Sequence, residues 1–219
     1  MSKSPASHRL KPRKQPLQRR SANTVESVLE AAARILETHG VDAYTTNAVA
    51  QRAGVSIGSL YQYFPNRDAL TVALIERESA QLLADIEAAR WLAHSRECVR
   101  AMVGAAVAHQ MRRPALARII DVEERRLPLG ERNQRVAATI HAAIVEALTV
   151  RDGAPDLSEA SLVAYDLLAI VRGMIDDAGE RGERDAAALE TRVMRAVDGY
   201  VAQSRRDGAV KKGGRARRG

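Results

Sequence analysis

GVSIGSLYQYFP, residues 54–65, is the stretch whose reading decides the fold. It holds Tyr61, Tyr63 and Phe64, three of only seven aromatic residues in a chain of 219. It also spells Gly-x-Ser-x-Gly over Gly54, Ser56 and Gly58, the pattern of a hydrolase nucleophile elbow. Such an elbow needs a strand before the serine and a helix after it, on top of a parallel sheet. The residues before Gly54, TTNAVAQRA, carry a helical period instead, with Val49, Ala50 and Ala53 on one face. No other stretch alternates as a strand does. A serine hydrolase built on Ser56 is therefore the remote reading. The favoured one makes Ser56 the N-cap of a short helix that follows a left-handed turn at Gly54.

On that reading, residues 45–64 are helix, tight turn, helix. Thr45 or Thr46 caps the first helix, Val55 plugs the turn, and Pro65 stops the second. Leu60 and Phe64 form an inward i, i+4 pair, while Tyr61, Gln62 and Tyr63 are expected outside. Upstream, Val25, Val28, Leu29, Ala32, Ile35 and Leu36 make one stripe of a helix that ends at Gly40. Asn23 is its expected cap, with Glu26 as capping-box partner. Downstream, Asn66 caps a long helix whose buried stripe opens with Leu70, Ala73 and Leu74. Further helices are expected at roughly 95–112, 114–126, 131–150, 159–178 and 186–205, between breaks at Pro114, Pro128–Gly130, Gly153–Pro155 and Gly179–Gly182. The fold class is all-α, with about nine helices.

Composition agrees. Apolar residues are 46% of the chain and aromatic ones 3%, a balance rich in Ala, Leu and Val. The single Cys98 excludes an internal disulfide framework, and no Cys/His group has zinc spacing, so no metal and no cofactor are expected. No apolar run reaches 18 residues, so no membrane partner is expected and a reducing cytoplasm is the expected address. The net charge of +7 hides a division. Residues 1–20 carry seven Lys/Arg and no acid, and residues 204–219 carry seven against Asp207 alone. The middle is net acidic. The ends read either as solvated disordered termini or as arms for an anionic polymer such as nucleic acid.

A helix that enters a DNA major groove needs small residues where it approaches closely and polar ones that reach phosphates and base edges. Gly58, Ser59, Tyr61 and Gln62 supply both. In this light Thr45-Thr46, Ala53-Gly54-Val55-Ser56, Gly58, Leu60-Tyr61, Tyr63-Phe64, Arg67 and Leu70 stand in the order and spacing of a known pattern. Residues 21–81 closely resemble the N-terminal DNA-binding domain of the tetracycline-repressor (TetR) family of bacterial transcriptional regulators. The resemblance implies a homodimeric regulator, released from a palindromic double-stranded operator by a small-molecule effector. It implies phosphate contacts from Thr46, Ser59, Tyr61, Tyr63 and Arg67, and base reading by Ile57, Gly58 and Gln62. The position after Thr46 is often basic in the family; here it is Asn47, which implies a hydrogen bond in place of a charge pair.

The expected organisation is a basic arm at 1–20, the DNA-binding domain at 21–81, a helical ligand-binding and dimerisation domain at 82–205, and a basic tail at 206–219. Segment 159–178 is apolar nearly all round, and 186–205 has Leu189, Val193, Val197, Tyr200 and Val201 on one face. The resemblance implies that these two segments form the dimer interface, where their pattern alone also fits an internal core. The pocket is expected among 70–150, with Trp91, Met102, His109 and His141 as candidates. A protein that coats nucleic acid through its basic ends, without sequence preference, is the competing reading.

Overall fold

The computed structural model describes residues 19–92, 94–150 and 157–216, so nearly all of the expected N-terminal arm lies outside the described residues. Among these residues there are nine helices and no strand: α1 (Arg19–His39), α2 (Thr46–Ala53), α3 (Ile57–Tyr63), α4 (Arg67–Ala89), α5 (Ser95–Arg112), α6 (Pro114–Arg126), α7 (Gly130–Val150), α8 (Leu157–Glu180) and α9 (Ala186–Ala216). Two ends differ from expectation. Helix α1 starts at Arg19, so Asn23 lies inside it, and Glu26 pairs with Arg77 at 2.9 Å instead of closing a capping box. Helix α9 runs through Ala216, so the expected tail is helical backbone over most of its length. The reason is shared. Neither SANT nor the stretch after Tyr200 contains a proline, and extending an existing helix adds a hydrogen bond per residue without a new nucleation cost.

Packing groups the helices into two compact units. One comprises the described residues up to Ala80 together with Arg113–Gly130; the other comprises Gln81–Arg112 and the described residues from Glu131 onward. The cut expected after residue 81 therefore falls one residue earlier. Helix α6, expected in the second domain, belongs with the first. Leu116 explains this: it is 1% exposed within the cluster formed by Val28, Leu36, Tyr44, Val49, Leu60, Phe64, Leu70 and Leu74. Each large side chain buried there contributes about 1.5–3 kcal/mol. Arg113 adds a polar tie at the start of α6, donating to Glu37 at 2.6 Å and to Glu30 at 2.9 Å, both on α1.

In the second unit α5 packs on α8 and α9, and α8 on α9. The core holds Ile86, Met102, Val103, Val107, Ile144, Leu148, Leu167, Ile175, Leu189, Val193 and Val197. Side-chain ties join its helices: Arg90 donates to Glu146 at 2.9 Å and Arg96 to Asp198 at 2.6 Å. The Tyr200 hydroxyl donates to Asp166.

Candidate nucleic-acid interface

Three side-chain caps fix the frame of the interface. Thr45 Oγ1 accepts the Ala48 N–H at 3.1 Å, Ser56 Oγ the Ser59 N–H at 3.0 Å, and Asn66 Oδ1 the Ala69 N–H at 2.8 Å. Each answers one of the donors a helix start leaves open. Gly54 sits at φ 68°, where a β-carbon would be strained, and turns the chain from α2 into α3. Ser56 also shares a hydrogen bond with Ser59 Oγ at 2.8 Å. The serine of the Gly-x-Ser-x-Gly pattern is thus a helix cap between two helices, with no preceding strand to form an elbow.

Leu60 and Phe64 are fully buried beneath this frame. On the outer side Ile57 is 37% exposed and Tyr61 41%, and Asn47, Gly58 and Gln62 are exposed as well. Ser59 and Thr46 are half-buried. Thr46 Oγ1 and the Tyr61 hydroxyl are 3.1 Å apart, which ties α2 to α3 through two groups that can both serve a phosphate oxygen. Arg67 is half-buried, and its guanidinium lies 5.9 Å from the centre of the Tyr44 ring.

Tyr63 corrects an expectation. It is 8% exposed and packs beside Phe64, with ring centres 6.4 Å apart. Positions 60, 63 and 64 are spaced i, i+3, i+4, so Tyr63 shares the inward face and does not stand beside Tyr61. Sequence reading also passed over Arg52, an exposed cation in the last turn of α2, and Tyr44, buried under Arg67. An aromatic just before Thr45-Thr46 was the available signal for Tyr44. Burial raises the Tyr44 hydroxyl to about 12 against the opposing effects of Thr71 and Arg67. Burial also works against ionisation of Glu30, but hydrogen bonds from Arg113 and Arg34 and the charges of Arg113 and Arg77 outweigh it, holding Glu30 below the usual carboxylate range.

The four pocket candidates do not share one environment. Trp91, two residues past the end of α4, is 80% exposed, so it lines no enclosed cavity. Met102 is 5% exposed in the core of the second unit, and His109 is half-buried. His141 stacks on Tyr165 at 4.0 Å and bonds the Ser161 carbonyl at 3.0 Å, which places it against α8. Sequence reading missed Gln110, 6% exposed, whose Nε2 has no hydrogen-bond partner among the described residues and lies so close to Gly179 that a β-carbon there would be 2.5 Å away. Among the described residues no helix is long and apolar enough to cross a membrane, and no group of three or more His, Cys, Asp or Glu can hold a metal ion.

Residues 28–74 match the model of bacterial regulatory proteins of the tetR family, and residues 96–200 match the tetracyclin repressor-like C-terminal domain. The nucleoid occlusion factor SlmA of Glaesserella parasuis is 30% identical over 96 residues, 43% of this chain, which spans about half of that relative, 48%. An uncharacterized HTH-type transcriptional regulator of Mycobacterium tuberculosis is 27% identical over 184 residues, 82% of this chain and 95% of that one. A solved TetR-family transcriptional regulator from Streptomyces coelicolor superposes with a TM-score of 0.64 at 22% identity, covering 84% of this chain and 98% of that one. At that identity the likeness speaks for the fold.

Proposed function

We propose that this chain, which belongs to the TetR family of bacterial regulatory proteins, is a dimeric repressor that holds a palindromic operator with two copies of α3 and releases it when a small molecule enters its second unit. That it is a DNA-binding transcriptional regulator follows from the family itself. The observation that carries the reading is the outer face of α3. It is capped, anchored from below by Leu60 and Phe64, and presents Ile57, Gly58, Tyr61 and Gln62 beside the Thr46–Tyr61 hydroxyl pair. Thr46, Asn47, Ser59, Tyr61 and Arg67 are assigned to the phosphate backbone, which fixes position, and Ile57, Gly58 and Gln62 to base edges, which specify sequence. Tyr63 leaves the contact set because it is buried.

Pairing through α8 and α9 is supported by what α8 leaves uncovered. Leu162 is 63% exposed and Tyr165 60%, and they continue into exposed Ala169 and Gly173 at i, i+3, i+7, i+11, a single stripe. Two copies of one head reading successive major grooves must lie about 34–36 Å apart, so dimer geometry sets affinity. An effector that alters that spacing weakens DNA binding, and DNA weakens effector binding by the same factor. The buried Gln110 donor, one turn after core Val107 on α5 and against Gly179, suits an amphipathic effector that brings a hydrogen-bond acceptor.

The test is selection of bound duplexes from a random pool by the full chain. A palindrome with half-sites one helical turn apart is expected; recovery of unrelated sequences at equal affinity would replace the repressor with a sequence-blind coating protein. Leu162→Asp should dissociate the dimer in sedimentation equilibrium and weaken operator binding. A dimer unaffected by that charge would remove α8 from the interface.

A further inference from the structure

The first turn of α4 holds an unusual disposition of charge. Arg67 is followed by Asp68, yet Arg67 makes no ion pair among the described residues; its guanidinium rests on the Tyr44 ring. Ten residues later the same helix repeats the order at Arg77-Glu78, and there the neighbours do bond, at 2.6 and 3.0 Å. At Glu78 the nearby arginine at the start of α6, Arg113, stays 3.9 Å away, whereas Asp68 is bonded directly by Arg126, in the last turn of α6. Its Nη2 donates to Asp68 at 2.6 Å and to Glu123 at 2.6 Å, and its Nε donates to Glu123 at 2.9 Å. Glu123 is 5% exposed, so the arginine is seated on a buried carboxylate and reaches outward to Asp68. Tyr44 completes the arrangement: it is 1% exposed and shares a hydrogen bond with Thr71, whose Oγ1 also donates to the Arg67 carbonyl.

We propose that Arg126 is a positioning residue for DNA binding: by taking up the Asp68 carboxylate it leaves Arg67 on the Tyr44 ring, unpaired and available to a phosphate. The inference rests on the reading of Arg67 as a phosphate contact. It adds to the interface a helix that contributes no group to the DNA surface assigned above. Without Arg126, Asp68 pairs with Arg67 as Glu78 pairs with Arg77, and the carboxylate replaces the phosphate as its partner. Arg126 therefore governs affinity for any DNA sequence, since a phosphate contact carries no base information.

The experiment measures binding of the full chain to a 40-base-pair duplex of arbitrary sequence by fluorescence anisotropy across a salt series. Arg67→Ala sets the scale: each lost phosphate contact lowers affinity about tenfold and flattens log K against log salt by roughly 0.9, so a dimer that loses two shows about a hundredfold loss and a slope change of roughly 1.8. Arg126→Gln should reproduce both effects. Asp68→Asn alone should bind as well as the parent or better, and Arg126→Gln/Asp68→Asn should return to within about twofold of Asp68→Asn. Thermal stability separates this from a structural role, because the buried Glu123 loses its partner in the single and double variants alike. A double variant that binds as weakly as Arg126→Gln overturns the proposal. Should Arg126→Gln lose its helical spectrum, the same comparison is made with Glu123→Gln added throughout, which removes the unpaired buried charge. Parent protein that binds no duplex, or Arg67→Ala that binds like the parent, defeats the phosphate reading itself. An Arg67→Ala effect without an Arg126→Gln effect defeats only the role of Arg126.

Discussion

The two units are held together by different means. The first is small and crowded with directional contacts: three side-chain caps, a left-handed glycine turn, and an α6 bonded to α1 by Arg113 and to α4 by Arg126. The second is built from long helices packed mainly by aliphatic side chains, with a few ties such as Arg90–Glu146 and Arg96–Asp198 between them, and it leaves Leu162 and Tyr165 open. The contrast follows from what each must present. A face that meets DNA has to hold named polar atoms in register, and short helices achieve this only when every end is capped and anchored. A body that packs around a core needs only apolar side chains of about the right volume, and many sequences satisfy that.

The largest test of this contrast is Phe64→Ala. If the first unit depends on a few anchors, removing its only phenylalanine should cost about 3–5 kcal/mol in urea unfolding and abolish DNA binding. A loss below 1 kcal/mol would mean the frame tolerates cavities as an aliphatic body does. The alkaline limb comes next. Tyr44 is raised from 10.0 to about 12 by burial, so its contribution is fully present below the unfolded value and is lost as pH rises through the folded one. Stability should fall by roughly 2–3 kcal/mol across that window, and Tyr44→Phe should flatten the fall. An unchanged alkaline limb in the variant would place the ring closer to water than the packing shows.

The smallest expected effect is at Arg113. Replacing it with Gln leaves Glu37 and Glu30 without their main partner, at sites 16% and 41% exposed, and should cost about 1–2 kcal/mol after solvent screening. Glu30 is held below its ordinary value, so its contribution is present above the unfolded value and lost as pH falls through the folded one. Arg113→Gln should therefore make the acid limb shallower as well. An acid limb of unchanged slope would show that α6 is joined to α1 by Leu116 alone.

Much of the first unit was legible from the chain. Gly54, Ser56, Leu60, Phe64 and Asn66 each have one residue type and one spacing that suit their structural task, and each does that task here. Tyr63 was misread because chemistry was weighed above spacing: a tyrosine beside Tyr61 suggested a second surface hydroxyl, while its place three residues after Leu60 put it inside. Trp91 was misread in the opposite sense, since a large apolar residue suggested a lining and it stands in solvent.

By itself the sequence determined the helical class, the helix-turn-helix frame and the family, because these rest on local rules of capping, turn conformation and period that act within a few residues. It also determined that long apolar helices follow. Only the tertiary structure decided that α6 belongs with the reading unit, that Arg126 and not Arg67 holds Asp68, that Tyr44 lies under Arg67, and that Gln110 is buried against Gly179. Asp68 and Arg126 are separated by 58 residues, and Arg113 and Glu37 by 76. Any acid in the chain offers such an arginine much the same attraction, and which one it meets is set by how the helices pack, which no local pattern encodes.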